Sequence, residues 1–137
     1  MGFNFTKINV EKLSDDFKDL KINTHVDISE VAKTDSDFFQ GKEELIGVKF
    51  YYNLEYAPSI AKIELGGNIL LILEPKQAKE VLKGWKDKQI PEEFKIFLFN
   101  FIFRKSNLKA IQLEDEMGLP LHIPLPRLSK PQEKAKE

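Results

Sequence analysis

A chain of 137 residues, 42% hydrophobic and 31% charged, carries enough apolar material for one core and not for two, and is too apolar for a disordered protein. Its 21 basic and 22 acidic residues leave a formal charge of −1, and the basic residues are almost all lysine, Arg104 and Arg127 being the exceptions. Few guanidinium groups and a neutral balance argue against a dedicated nucleic-acid binder, and the absence of cysteine removes disulfides, thiol catalysis and thiolate metal sites.

Strand patterns come first along the chain. Phe3, Phe5, Ile8 and Val10 alternate with polar residues, but the phase slips near Thr6-Lys7, as a β-bulge would require. Leu20, Ile22, Val26 and Ile28 share one face of the next run, with Lys21, Asn23, His25, Asp27 and Ser29 on the other. The third run places Ile46, Val48, Phe50, Tyr52, Leu54 and Tyr56 on one face, and its β-branched and aromatic residues suit a pleated surface. Ala57-Pro58-Ser59 makes a turn. A fourth strand starts at Ile60, is expected to be interrupted by a hairpin or bulged bend at Gly66-Gly67-Asn68, and resumes as the unbroken apolar run Ile69–Leu73, which predicts burial on both faces. The polar stretch from Lys33 to Glu44 reads as a loop.

Helix patterns follow. Glu74-Pro75 opens a helix with proline at its first position, and Ala78, Val81, Leu82 and Trp85 recur on one face until Ile90-Pro91. Pro91-Glu92-Glu93 opens a longer helix with its acids at the positive end of the dipole, running to Met117 with Gly118 as terminator. Prolines 120, 124 and 126 then forbid helix, yet Leu121, Ile123 and Leu125 are interleaved with them, so this ending is expected to be extended, buried on its apolar side, and laid as a lid over the long helix of its own subunit or of the next. Residues 1–128 form one domain, and 129–137 a mobile charged tail.

Catalytic patterns are weak. His25 near Asp27 reads as a solvated strand face, His122 has no partner in sequence, and Gly66-Gly67 precedes a strand rather than the helix that a phosphate loop needs. Glu114-Asp115-Glu116 cannot converge on one ion, because consecutive helical residues diverge, and reads as a solvated helix end. The expectation is a protein without enzymatic activity, metal or cofactor. The opening MGFNFTKINV lacks a signal peptide's apolar stretch, and no run is long enough to cross a bilayer, so a cytoplasmic location without membrane attachment is expected.

The informative anomaly is Phe94-Lys95-Ile96-Phe97-Leu98-Phe99-Asn100-Phe101-Ile102-Phe103. Phe94, Phe97, Leu98 and Phe101 make one stripe, while Ile96, Phe99 and Phe103 extend over the opposite side. A two-layer domain covers one side of a helix, so a second cover is required: the proline-rich ending, a sister subunit or a client polypeptide. Ile96, Phe99, Phe103, Leu121 and Ile123 are the candidate oligomer interface, and Phe50, Tyr52, Tyr56 and Trp85 the candidate polypeptide-binding residues.

In this order of elements, with the Gly-Gly break in Glu64-Leu65-Gly66-Gly67-Asn68-Ile69-Leu70, the short and long helices, and the ending Met117-Gly118-Leu119-Pro120-Leu121-His122-Ile123-Pro124-Leu125-Pro126, the chain resembles the SecB-like chaperone family, and its ending is similar to those of uncharacterised archaeal relatives of SecB. The resemblance covers about residues 3–128. It implies an α+β fold, an antiparallel sheet of about four strands with a short and a long helix on one face, and a homo-oligomeric holdase that keeps unfolded or partly folded polypeptide in apolar grooves. The family's acidic sheet surface for docking an export motor is not matched by Lys21, Asn23, His25, Asp27 and Ser29, which weakens export targeting and leaves general or antitoxin-linked holding. The alternative is a non-catalytic assembly or scaffold subunit for one protein or ribonucleoprotein partner, with Lys76, Lys79, Lys83, Lys86 and Lys88 as phosphate contacts.

Overall fold

The computed structural model describes residues 2–34 and 42–126. Four strands, β1 (Gly2–Lys12), β2 (Lys21–Lys33), β3 (Glu44–Ala57) and β4 (Ala61–Leu73), precede two helices, α1 (Pro75–Lys86) and α2 (Glu92–Met117). The strands form one antiparallel sheet in the order β1-β4-β3-β2. The expected α+β architecture is therefore the observed one. Most of the expected Lys33–Glu44 loop, and the charged tail, lie outside the described residues.

Both helices lie on the face formed by Ile46, Val48, Phe50, Tyr52, Leu54 and Tyr56 of β3 and by Ile63, Leu65, Ile69 and Leu71 of β4. The core has two parts. One places Ile28, Val48, Phe50 and Ile69 beneath Ala78 and Val81 of α1 and Phe94, Leu98 and Ile102 of α2. The other places Tyr52, Leu54, Tyr56, Ile63 and Leu65 beneath Ala110 and Leu113. The long helix thus spans both parts and the short helix caps one.

The bulge inferred in β1 is present, as a register shift between Phe5 and Lys7. The expected interruption of β4 is not: the strand runs unbroken through Gly66-Gly67, with Gly67 paired to Phe5 on one side and Phe50 on the other. These glycines serve packing. A Cβ on Gly67 would stand 2.5 Å from the Asn4 carbonyl oxygen and 2.9 Å from the Phe50 ring, so the gap admits the ring, which stacks on Phe3 at 5.6 Å and meets Phe5 edge-on at 6.4 Å. The apolar run Ile69–Leu73 is not buried on both faces either. Ile69 and Leu71 enter the core, but Leu70 is 39% and Ile72 47% exposed, because among the described residues no layer covers the other face of the sheet.

Gly118 ends α2 in the left-handed region at φ 65°, as expected. The buried residues of α2 are Phe94, Leu98, Ile102, Ser106, Ala110, Leu113 and Glu114, a seam that mostly steps by four. Four residues advance about 400°, so the seam drifts by about 40° per step and travels roughly half-way round the helix. Much of the two-sided apolar character of α2 is this drift. Phe97, placed in the core stripe by a 3.6-residue period, is 47% exposed.

Gly67→Ala is expected to destabilise the protein by about 1–3 kcal/mol, since the Phe50 ring or the β1 backbone must move; Gly66→Ala, where a Cβ would meet nothing closer than 3.5 Å, should cost far less. Paired urea melts of the two variants check this.

Candidate functional site

The C-terminal half of α2 covers a buried polar cluster. Tyr52 and Tyr56, four residues apart on the core face of β3, send their hydroxyls up to the helix. Tyr56 donates to Glu114 Oε2 in a short hydrogen bond, and its oxygen also lies 3.0 Å from the Pro120 carbonyl. Glu114 accepts in addition from the backbone N–H of His122 at 3.0 Å and from its ring Nδ1 at 2.8 Å. On the far side of the ring, Nε2 lies 3.0 Å from both the Tyr52 hydroxyl and Asn107 Oδ1, and Tyr52 donates to Asn107 at 2.6 Å. Helix, sheet and post-helical segment are joined at one carboxylate.

Two sequence expectations are corrected here. Glu114 is not at a solvated helix end: its side chain is 0% exposed, and that of His122 is 5% exposed. His122 has its partners across the fold, in Glu114, Asn107 and Tyr52, where no sequence spacing could display them. Burial, and then the Glu114 carboxylate, push the Tyr52 hydroxyl well above the ordinary tyrosine range; Tyr56 is raised by burial first, then by its hydrogen bond to Glu114, then by the charge of Glu114. Both tyrosines stay neutral donors. With the carboxylate fully enclosed, no substrate reaches it, and the cluster acts as a latch.

The latch sets the course of the ending. Leu119 is buried, but Leu121 and Leu125 are exposed and Ile123 is half-buried. Within the single chain the expected burial of all three apolar side chains, and a lid over the outer side of its own α2, are not observed: the segment is held by polar bonds from His122.

The candidate polypeptide-binding residues separate. Phe50, Tyr52 and Tyr56 are buried beneath α2 and line no open groove, because the face that presents them is the one the helices cover. Trp85 is different. It lines an open groove of about 560 Å³ with Ile28, Ile90 and Phe99, where the Lys88 ammonium sits 4.2 Å from its ring centroid. Ile90 and Phe99 also line the adjoining hollow of about 470 Å³, which reaches Ile96 and Asn100. A trough thus runs from Trp85 to Ile96, lined also by Asp27, Lys88, Gln89, Glu92, Lys95 and Asn100, and brings together residues assigned on sequence to two separate roles. Ile96 is 53% exposed, and Phe97, Phe103 and Leu108 add to the uncovered side of α2. Among the described residues, no His/Asp/Glu group has the arrangement of a metal site, and no helix is long and apolar enough to cross a membrane.

No family model matches the sequence, and no curated protein matches it significantly. Among solved structures, the chain is similar in fold to the Mycobacterium tuberculosis Rv1957 SecB-like chaperone in complex with a ChAD peptide from the Rv1956 HigA1 antitoxin, with a TM-score of 0.53 and 10% identity over 96% of this chain and 90% of that one. The fold of this chain is SecB-like; no archaeal relative is singled out.

Two measurements test the latch. Tyr56→Phe and His122→Ala should each cost about 1.5–3 kcal/mol, the range for a hydrogen bond to a charged group, and the double variant should cost clearly less than their sum because both serve Glu114. Alkaline stability should fall from about pH 10 upward, where tyrosines of the unfolded chain ionise while Tyr52 and Tyr56 in the folded chain do not; the unfolded state then binds fewer protons, and each tyrosine contributes a slope of about −1.4 kcal/mol per pH unit. Tyr52→Phe should flatten that slope in denaturant melts recorded across the range.

Proposed function

We propose that this chain is a SecB-like chaperone, a cytoplasmic holdase that binds nonnative polypeptide through apolar surface, works as a homo-oligomer and catalyses no reaction. The observation that carries the proposal is the trough from Trp85 through Ile90 and Phe99 to Ile96, open beside the exposed rings of Phe97 and Phe103. Large rings provide contact area without sequence-specific readout, which suits a binder of varied unfolded segments, although Asp27, Lys88, Gln89, Glu92, Lys95 and Asn100 share the lining. The likeness in fold to a chaperone whose structure holds a peptide supports the same reading.

The oligomeric part rests on Ile96, Phe97, Phe103 and Leu108, large apolar side chains that α2 leaves exposed and that a second subunit would cover. The open sheet face carries balanced pairs, Lys49 with Glu30 at 3.2 Å and Lys62 between Glu11 and Glu64. That balance favours general holding over docking to an export motor.

The protein should suppress aggregation of an unrelated, thermally unfolding protein at near-equimolar subunit ratio, and sedimentation should show a dimer or larger at micromolar concentration. Ile96→Asp, a surface change with little effect on stability, should weaken suppression several-fold with an unchanged melting temperature. Suppression no better than that of an inert control, alongside one specific protein retained through purification, would replace the holdase with a scaffold subunit.

A further inference from the structure

A second groove, of about 580 Å³, lies where α1 meets the end of β2 and the start of β3, and shares no lining residue with the trough. Its apolar lining is Pro75, Ala78 and Leu82, and its cationic lining includes Lys79, Lys83 and Lys86. Spacings of four and three place these lysines on one side of the helix, within about 60° of each other. Among the described residues none of the three makes an ion pair: the lysine pairs are those of Lys7, Lys12, Lys33, Lys49 and Lys62. The one acid in the lining, Glu44, is held by Lys33 at 2.9 Å. Glu80, the acid within α1, lies about 100° round the helix from Lys79.

Lys83 and Lys86 have a local reason to exist, since they stand in the last turn of α1, where cations complement the helix dipole. That reason does not extend to Lys79 in mid-helix, nor to the placing of all three along an apolar floor. We propose that this groove docks an acidic amphipathic polypeptide segment, its aliphatic side chains on Ala78 and Leu82 and its carboxylates on Lys79, Lys83 and Lys86. The proposal rests on the polypeptide-binding reading above and adds to it a chemical preference and a second seat for the client. A nucleic acid fits less well. Among the described residues no arginine and no aromatic ring lines the groove, so these residues offer neither the bidentate phosphate grip nor the stacking platform that single strands use.

Fluorescence anisotropy with the full chain tests this, using a labelled amphipathic peptide of leucine and glutamate, its leucine–glutamine counterpart, and an oligouridylate. The glutamate peptide should bind about tenfold tighter than the glutamine peptide at low salt, and the gap should close at high salt, as exposed charge pairs require. Lys79→Gln combined with Lys83→Gln should remove most of the gap at an unchanged melting temperature, and Lys79→Arg combined with Lys83→Arg should keep it. Equal binding of the two peptides by the native protein overturns the acidic preference while leaving the holdase standing on its aggregation assay. Failure of both peptides together with failure to suppress aggregation removes the holdase itself. Oligouridylate that displaces the glutamate peptide, and is lost in the glutamine variant, would assign the groove to nucleic acid. A fall in subunit number in that variant would assign it to a second copy of the chain.

Discussion

The long helix has to cover one face of a twisted four-stranded sheet from end to end, and this constraint shapes most of the molecule. A helix meeting such a surface along its i, i+4 ridge buries a seam that rotates as it advances. Here the seam passes through Phe94, Leu98, Ile102, Ser106 and Ala110 to Glu114. Its side chains shrink from Phe94 to Ser106 and Ala110, and the sheet answers with its bulkiest core residues, Tyr52 and Tyr56, in the part of the core that Ala110 enters. At the other end the sheet withdraws instead: Gly67 leaves room for the Phe50 ring among Phe3 and Phe5.

Filling the narrow end with tyrosines creates the polar cluster. Each hydroxyl carried into the core needs a partner, since an unpaired buried polar group costs about 1–3 kcal/mol. Glu114 and Asn107 supply acceptors from the helix, and a carboxylate so enclosed then needs more donors than Tyr56 alone. His122 provides two, one from the backbone and one from the ring. Residues 119–126 take their course for this reason, and Leu121 and Leu125 can remain outside because the anchor is polar.

Covering one face also leaves surfaces. The far side of the sheet carries Leu70 and Ile72 in the open, and the outer side of α2 carries Ile96, Phe97 and Phe103. The short α1 packs over one end of the sheet only, so grooves form along its borders: one lined by Trp85 and Phe99, the other by Ala78 and Leu82 with lysines at its edge. The unequal lengths of the two helices thus leave grooves beside the short helix of this chain.

Period-two alternation through the strands up to Gly66, proline at the start of α1, the acidic opening of α2 and Gly118 at its end are local properties and legible along the chain, because backbone and near-neighbour sterics act within a few residues. The phase slip near Thr6 located the bulge for the same reason. Tertiary structure alone decided which apolar residues face the core and which face water. A rotating seam cannot be read from a 3.6-residue period, so Phe97 was assigned to the wrong side. Strand burial depends on layers that sequence does not count, so Leu70 and Ile72 read as core, and Phe50, Tyr52 and Tyr56 read as groove although the helices cover them. The latch was the least legible feature. Its members Tyr52, Asn107, Glu114 and His122 are joined across as many as 70 residues, and the enclosure that turns an ordinary glutamate into a structural anchor exists only once α2 lies on the sheet.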